Sequence, residues 1–251
     1  MFARSKNQLP ATTEGAGGAA DDPSTAAKVL SAIIERSTRV QAPGIKAYVD
    51  RLRSYFNDSS TSEIITKLEK QYLAAVMASG AAVGSAAAFP GIGTLTAMSA
   101  IAGETVVFLE ATAVYVLAVA EVHGIPAGHR ERRRALVLSV LVGDDSKHAI
   151  GDLLGTGRTN GAWLADGAAT LPLPAVSQLN SRLLKFFVKK YTLKRGAMAF
   201  GKLLPVGIGA VVGGVGNRLM GKRIVANARR AFGTPPPRWP TTLHVLPSAR
   251  S

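Results

Sequence analysis

Small and apolar positions recur along this chain with the period of a helix. The densest example is Gly201–Phe232, GKLLPVGIGAVVGGVGNRLMGKRIVANARRAF. Within it Gly209, Gly213, Asn217, Gly221, Val225, Ala228 and Phe232 follow one another at steps of four or three. Residues so spaced share one helix face. Pro205 suits the first turn of that helix, where a missing N–H costs little. Each glycine inside a helix costs about 0.5–1 kcal/mol relative to alanine, so the stripe predicts the close approach of a second helix as compensation. Asn217, midway along it, is expected to hydrogen-bond that neighbour and fix its register, in preference to holding a ligand or headgroup. Leucine at Gly209 or Gly213 is expected to destabilise the fold far more than leucine at Gly233, just past the helix.

A second pattern covers residues 60–124. Ser60–Thr–Ser–Glu63 matches a capping box. Beyond it Tyr72, Val76, Gly80, Gly84 and Ala88 again place small residues on one face. No charge occurs from Gln71 to Gly103, a run of 33 residues, and about 20 suffice to span a bilayer. Pro90–Gly–Ile–Gly93 splits the run, however, and a second helix is expected from Thr94 to His123, stopped by Gly124–Ile125–Pro126. So short a break predicts an antiparallel hairpin. The second arm carries Glu104, Glu110 and Glu121, and an acid at mid-bilayer costs at least ~2.5 kcal/mol. A buried hairpin in a soluble or membrane-surface bundle is therefore preferred to a span.

Shorter patterns complete the chain. Asp22–Pro23 opens a helix through about Arg39, Pro43–Gly44 breaks it, and another helix runs to about Phe56. Residues 129–134 begin a helix whose apolar part is Ala135–Val142, and a short helix follows over Lys147–Leu154. Pro172 and Pro174 read as a linker. Gln178–Arg195 is amphipathic: Arg182, Lys185 and Lys189 fall together, with Leu179, Leu183, Phe186 and Phe187 toward the other side. The prediction is an all-α, multi-helix bundle of seven to nine helices. It has a central glycine/alanine-rich hairpin (60–124) and a second glycine-rich helix packed against it. One domain covers 23–232, with its basic glycine-rich part over 176–232, and the tails 1–22 and 233–251 are expected to be disordered.

Charge changes the picture more than composition does. The net charge is +14. Residues 1–166 hold 16 Lys/Arg and all 16 Asp/Glu, whereas residues 167–251 hold 14 Lys/Arg and no acid. A neutral two-thirds joined to a wholly basic third points to a phosphate-bearing partner, lipid headgroups or nucleic acid. Long apolar runs beside the charge favour lipid. The absence of cysteine excludes disulfides and thiolate metal sites. The opening residues MFARSKNQLPATTEGAGG lack the apolar core of a secretory signal; together with the absence of cysteine this makes the cytoplasm or its membrane face the expected location.

Catalytic chemistry finds little support. Gly196–AMAF–Gly201–Lys202 and Gly216–NRLM–Gly221–Lys222 imitate a phosphate-binding loop, but Leu203 and Arg223 stand where Ser or Thr must hold Mg²⁺. Their upstream residues also read as helix, so no nucleotide cofactor is expected. Residues 155–161 have the wrong spacing for a dinucleotide loop. Glu104, Glu110 and Glu121 lack the Glu-x-x-His spacing of a di-iron bundle; pairing with bases of the basic third, or exposure, is expected instead. The four histidines, at 123, 129, 148 and 244, show no metal-ligand spacing. A partial echo, Pro90–Gly93 against Pro205–Gly209, is too short to establish an internal repeat.

Lys202, Pro205, Gly207, Gly209, Gly213, Asn217, Ala228 and Phe232 resemble the C-terminal signature of the bacterial EcsC family. The hairpin from Gly84 through Pro90 and Gly93 to His123–Gly124 looks like that family's apolar N-terminal half. The resemblance covers roughly residues 60–232. It implies a membrane-linked accessory role beside an ABC transporter and supplies no catalytic residue. The expected function is a non-enzymatic helical protein at the cytoplasmic membrane face, with Arg182, Lys185 and Lys189 meeting an anionic surface and a membrane-protein partner possible. Gly80, Gly84, Gly209, Gly213, Asn217 and Gly221 are the expected packing positions. A cytosolic nucleic-acid-binding protein, or an enzyme with an unrecognised site, are the alternatives.

Overall fold

The computed structural model describes residues 42–56, 60–86, 94–125, 127–144, 171–199 and 208–240, with isolated positions at 32, 36, 146 and 164. Among these residues there are six helices and no strand: α1 (Ala42–Tyr55), α2 (Thr61–Ala86), α3 (Thr94–Val122), α4 (Arg130–Val142), α5 (Leu173–Ala199) and α6 (Ile208–Phe232). The molecule is an all-α bundle. The helix expected over 147–154 lies outside the described residues, as does that over 22–39 apart from residues 32 and 36.

Local chemistry explains the boundaries. The capping box at the start of α2 is formed in both directions: the Glu63 N–H donates to Ser60 Oγ (3.3 Å), and the Ser60 N–H donates to a Glu63 carboxylate oxygen (3.2 Å). At the far end of α3, Ile125 N–H donates to Ala120 O and Gly124 N–H to Glu121 O. Gly124 sits at φ +68°. That is the left-handed glycine stop, with Ile125 tucked into the core behind it. Pro172 and Pro174 do not form a linker. They start α5, five residues earlier than its amphipathic pattern suggests, and the Pro172 carbonyl accepts from Ala175 and Val176 N–H. Proline lacks only an N–H that the first turn leaves unused.

Helix α3 is the centre of the bundle, packed against α1, α2, α4 and α6. Leu109, Ala113, Tyr115 through Ala120 and Val122 are all buried on it. Among the described residues α3 alone is long and apolar enough to cross a membrane, over Gly103–Val122. Yet 56% of that window is buried within the protein. It serves as a core helix, and the charge-free run 71–103 is divided between the ends of α2 and α3. The second half of α4, apolar on every side apart from Ser139, is buried at every residue from Ala135 to Val142. Helix α5 covers it through Val176, Leu179, Leu183 and Phe187.

The most extensive helix pair is α2 with α6. Its contacts fall in an antiparallel series: Thr61 with Pro236, Glu69 with Arg229, Val76 with Gly221 and Ala81 with Gly214. Tyr72 meets Thr112 and Tyr115, and the chain between Ala86 and Thr94 is too short to return along the length of a parallel helix, so α2 and α3 are antiparallel as well. The hairpin arms and α6 therefore run side by side as a three-helix unit.

The chain after α6 returns to the body. Residues 233–240 do not behave as the disordered tail that their proline content suggests. Thr61 Oγ1 donates to Pro236 O, Trp239 packs against the core under the Arg53 guanidinium (5.1 Å), and Pro240 fills the space above Gly124. Irregular structure of this kind has no period to read. Residues 1–22 and 241–251 lie outside the described residues.

Candidate functional site

Two surfaces, one buried cluster and one cleft merit a site's scrutiny. On α5, burial divides the helix sharply. Leu179, Leu183 and Phe187 are buried, while Arg182 and Lys185 are exposed. Phe186 does not join the apolar side: it is 46% exposed, at the margin of the basic face. At 100° per residue it stands nearer Arg182 than Phe187, so the helix offers an exposed aromatic ring beside two bases. Lys189 belongs to the same helix, but its side chain lies outside the described residues.

The glycine face of α6 is turned onto α2. Asn217 Nδ2 donates to the Val76 carbonyl of α2 at 3.0 Å. A Cβ on Gly221 would stand 2.9 Å from Leu73 Cδ2 and 3.0 Å from Val76 Cγ2. Gly80 is buried on α2 at the level of Asn217, and Gly84, nearer the end of that helix, is half-buried. Gly209 and Gly213 lie on α6, with surroundings outside the described residues. The opposite face of α6 is exposed at Val215 (50%) and Leu219 (58%), followed by exposed Arg218, Lys222 and Arg223.

Among the described residues the basic third is met not by the three glutamates of α3 but by Asp144, which takes Arg230 Nε at 3.0 Å, and by Glu69. Only 5% exposed, Glu69 receives Arg229 Nε on one carboxylate oxygen at 2.7 Å and Nη2 on the other. The hydrogen bonds and charge of Glu69 raise the Arg229 pKa further. Tyr72 stacks on Tyr115 with centroids 4.7 Å apart and hydrogen-bonds Thr112. Thr112 in turn donates to the Phe108 carbonyl. Burial pushes both phenols far above their ordinary range, and the Glu69 charge adds to the effect on Tyr115. These groups stay neutral and act as packing. The sequence signal for Glu69 is its position between Ile65 and Tyr72 on the buried stripe of α2. Removing the base strands a buried carboxylate, which costs about 3–5 kcal/mol for a fully enclosed pair. Arg229 is itself 66% exposed, so water takes over part of its role. Arg229→Gln is expected to lower stability by about 1–2 kcal/mol, and an unchanged denaturant midpoint would contradict the pairing.

A cleft of about 310 Å³ opens between α1, α3 and the turn before α4, with Lys46, Glu121 and Arg133 on its walls. Arg133 Nη1 donates to the Ala127 and Gly128 carbonyls at 2.9 and 2.7 Å, which ties the guanidinium to the turn. Glu104 and Glu110 are half-buried elsewhere on α3. His123 donates from Nδ1 to Val119 O and leans on Phe232, and burial lowers its pKa. Among the described residues no three His, Asp or Glu side chains are grouped to hold a metal ion.

No family model, no curated protein and no solved structure matches this chain. The EcsC resemblance accordingly rests on the residues of the glycine stripe and the hairpin.

Proposed function

We propose that the chain is a non-enzymatic, membrane-associated helical protein of the EcsC type, an accessory factor at the cytoplasmic face of the cell membrane. The observation that supports this reading is the exposed Phe186 beside Arg182 and Lys185 on α5, above the buried Leu179, Leu183 and Phe187. An aromatic ring flanked by bases suits the headgroup region, where the ring enters the apolar boundary and the bases meet lipid phosphate. The same exposure favours one other reading, a nucleic-acid-binding surface on which Phe186 stacks a base. Tyr55 and Phe56, exposed beside Lys67 at the end of α1, extend that alternative; the exposed apolar side chains beside the bases of α6, Val215 and Leu219, stack no base and favour lipid.

Cell fractionation tests the proposal. The protein is expected in the membrane pellet at low salt and to be loosened by high salt, which screens the bases that meet lipid phosphate. Recovery in the soluble fraction at low salt would overturn it.

A further inference from the structure

The antiparallel register of the three-helix unit gathers its charge-free segments at one end. These are residues 71–86 of α2, 94–103 of α3 and 208–217 of α6. On α2 the segment is about 24 Å long at 1.5 Å per residue. Because Gly221 faces Val76 and Gly214 faces Ala81, Leu219 and Val215 lie level with residues 78–82 of α2. The Tyr72–Thr112 pairing puts Val107 of α3 at that same level. Val107, Val215 and Leu219 are 47%, 50% and 58% exposed, the only large apolar side chains of the unit so exposed among the described residues. Exposed Arg218, Lys222 and Arg223 begin beside Leu219 and continue down α6.

From this order we infer that the charge-free end of the α2–α3–α6 unit enters an anionic lipid bilayer, apolar end first, to a depth set by a basic collar of Arg218, Lys222 and Arg223. The inference rests on the membrane reading proposed above and adds which end of the molecule is immersed. A bilayer is the occupant that matches this axial sequence, since it presents phosphate first and hydrocarbon beneath. Long basic side chains keep their heads at the phosphate level while their stems lie against the apolar layer. A protein groove would need no ordered change from base to apolar along one helix axis.

The absence of cysteine makes single-site labelling clean. Cysteine is placed at Val107, Val215, Leu219 or, at the other end of α2, Ser62. Each variant carries an environment-sensitive fluorophore and is mixed with phosphatidylcholine–phosphatidylglycerol vesicles containing acyl-chain-brominated lipid. Labels at 107, 215 and 219 are expected to shift to the blue and be quenched, and the label at 62 to do neither. The double variant Val215→Glu/Leu219→Glu, on exposed positions that leave the melting temperature unchanged, is expected to reduce vesicle partitioning roughly tenfold or more. Flotation with vesicles but no response of the three labels would overturn the insertion and leave the membrane reading standing. Failure to float at all would overturn both. Label responses to duplex nucleic acid in place of vesicles would assign the surface to that partner and reject the bilayer.

Discussion

Gly221→Leu is expected to lower the unfolding free energy by about 3 kcal/mol, near the upper end of ordinary overpacking. The first added carbon alone would stand 2.9 Å from Leu73 Cδ2 and 3.0 Å from Val76 Cγ2. Leu73 can yield by rotating its flexible end. Val76 is fully buried and β-branched, so it moves only with the α2 backbone. A leucine brings three more carbons into the same gap. The control is Gly216, whose Cβ would meet nothing within 4 Å. There alanine relieves the helix of a glycine, so Gly216→Ala is expected to gain about 0.5–1 kcal/mol. Gly233 cannot serve as the tolerant control that its place past the helix suggests. It holds φ +76° and closes α6 through its N–H to Arg229 O, a conformation that leucine adopts only with strain. For a domain of this size the Gly221→Leu change corresponds to a fall in Tm of roughly 6–12 °C. Equal melting temperatures for Gly221→Leu and the parent would contradict the close packing of α6 on α2.

The second large effect is on binding. Replacing Arg182, Lys185 and Lys189 together by glutamine is expected to weaken attachment to anionic vesicles about a hundredfold at low salt, from about 1 kcal/mol for each charge near an anionic surface. The effect should shrink as salt screens the surface, and helicity should be unchanged because Arg182 and Lys185 are exposed. Phe186→Ser is expected to weaken binding to the same vesicles with little salt dependence, since it removes an apolar contact. Indistinguishable vesicle affinity for the triple variant and the parent would remove α5 from the contact surface.

Much of this architecture is legible in the sequence because helices announce themselves by period. The Ser60–Glu63 box, the Gly124 stop and the glycine face of α6 each follow from residue type and spacing. The less legible features are those decided by the partner across an interface. Glu69 reads as one more charge in a solvated first half of α2, and only the stripe Ile65–Glu69–Tyr72–Val76 marks it as inward. Phe186 is one residue from a buried phenylalanine, so a small error in assigning the helix face moves it from core to surface. The path of residues 233–240 depends on Thr61, Arg53 and Gly124, which are remote in sequence. The candidate surface itself was visible as Arg182, Lys185 and Lys189, whereas the collar on α6 emerges only when the α2–α6 register is known.

Flotation of the purified protein tests the central claim most directly. The full chain is mixed with phosphatidylglycerol-containing vesicles, with neutral phosphatidylcholine vesicles, and with the anionic vesicles plus excess duplex DNA. The account predicts that the protein floats with the anionic vesicles, does so less as salt is raised, and is not displaced by the duplex. Protein that stays at the bottom of the gradient with anionic vesicles, yet binds the duplex with a steep salt dependence, would contradict it.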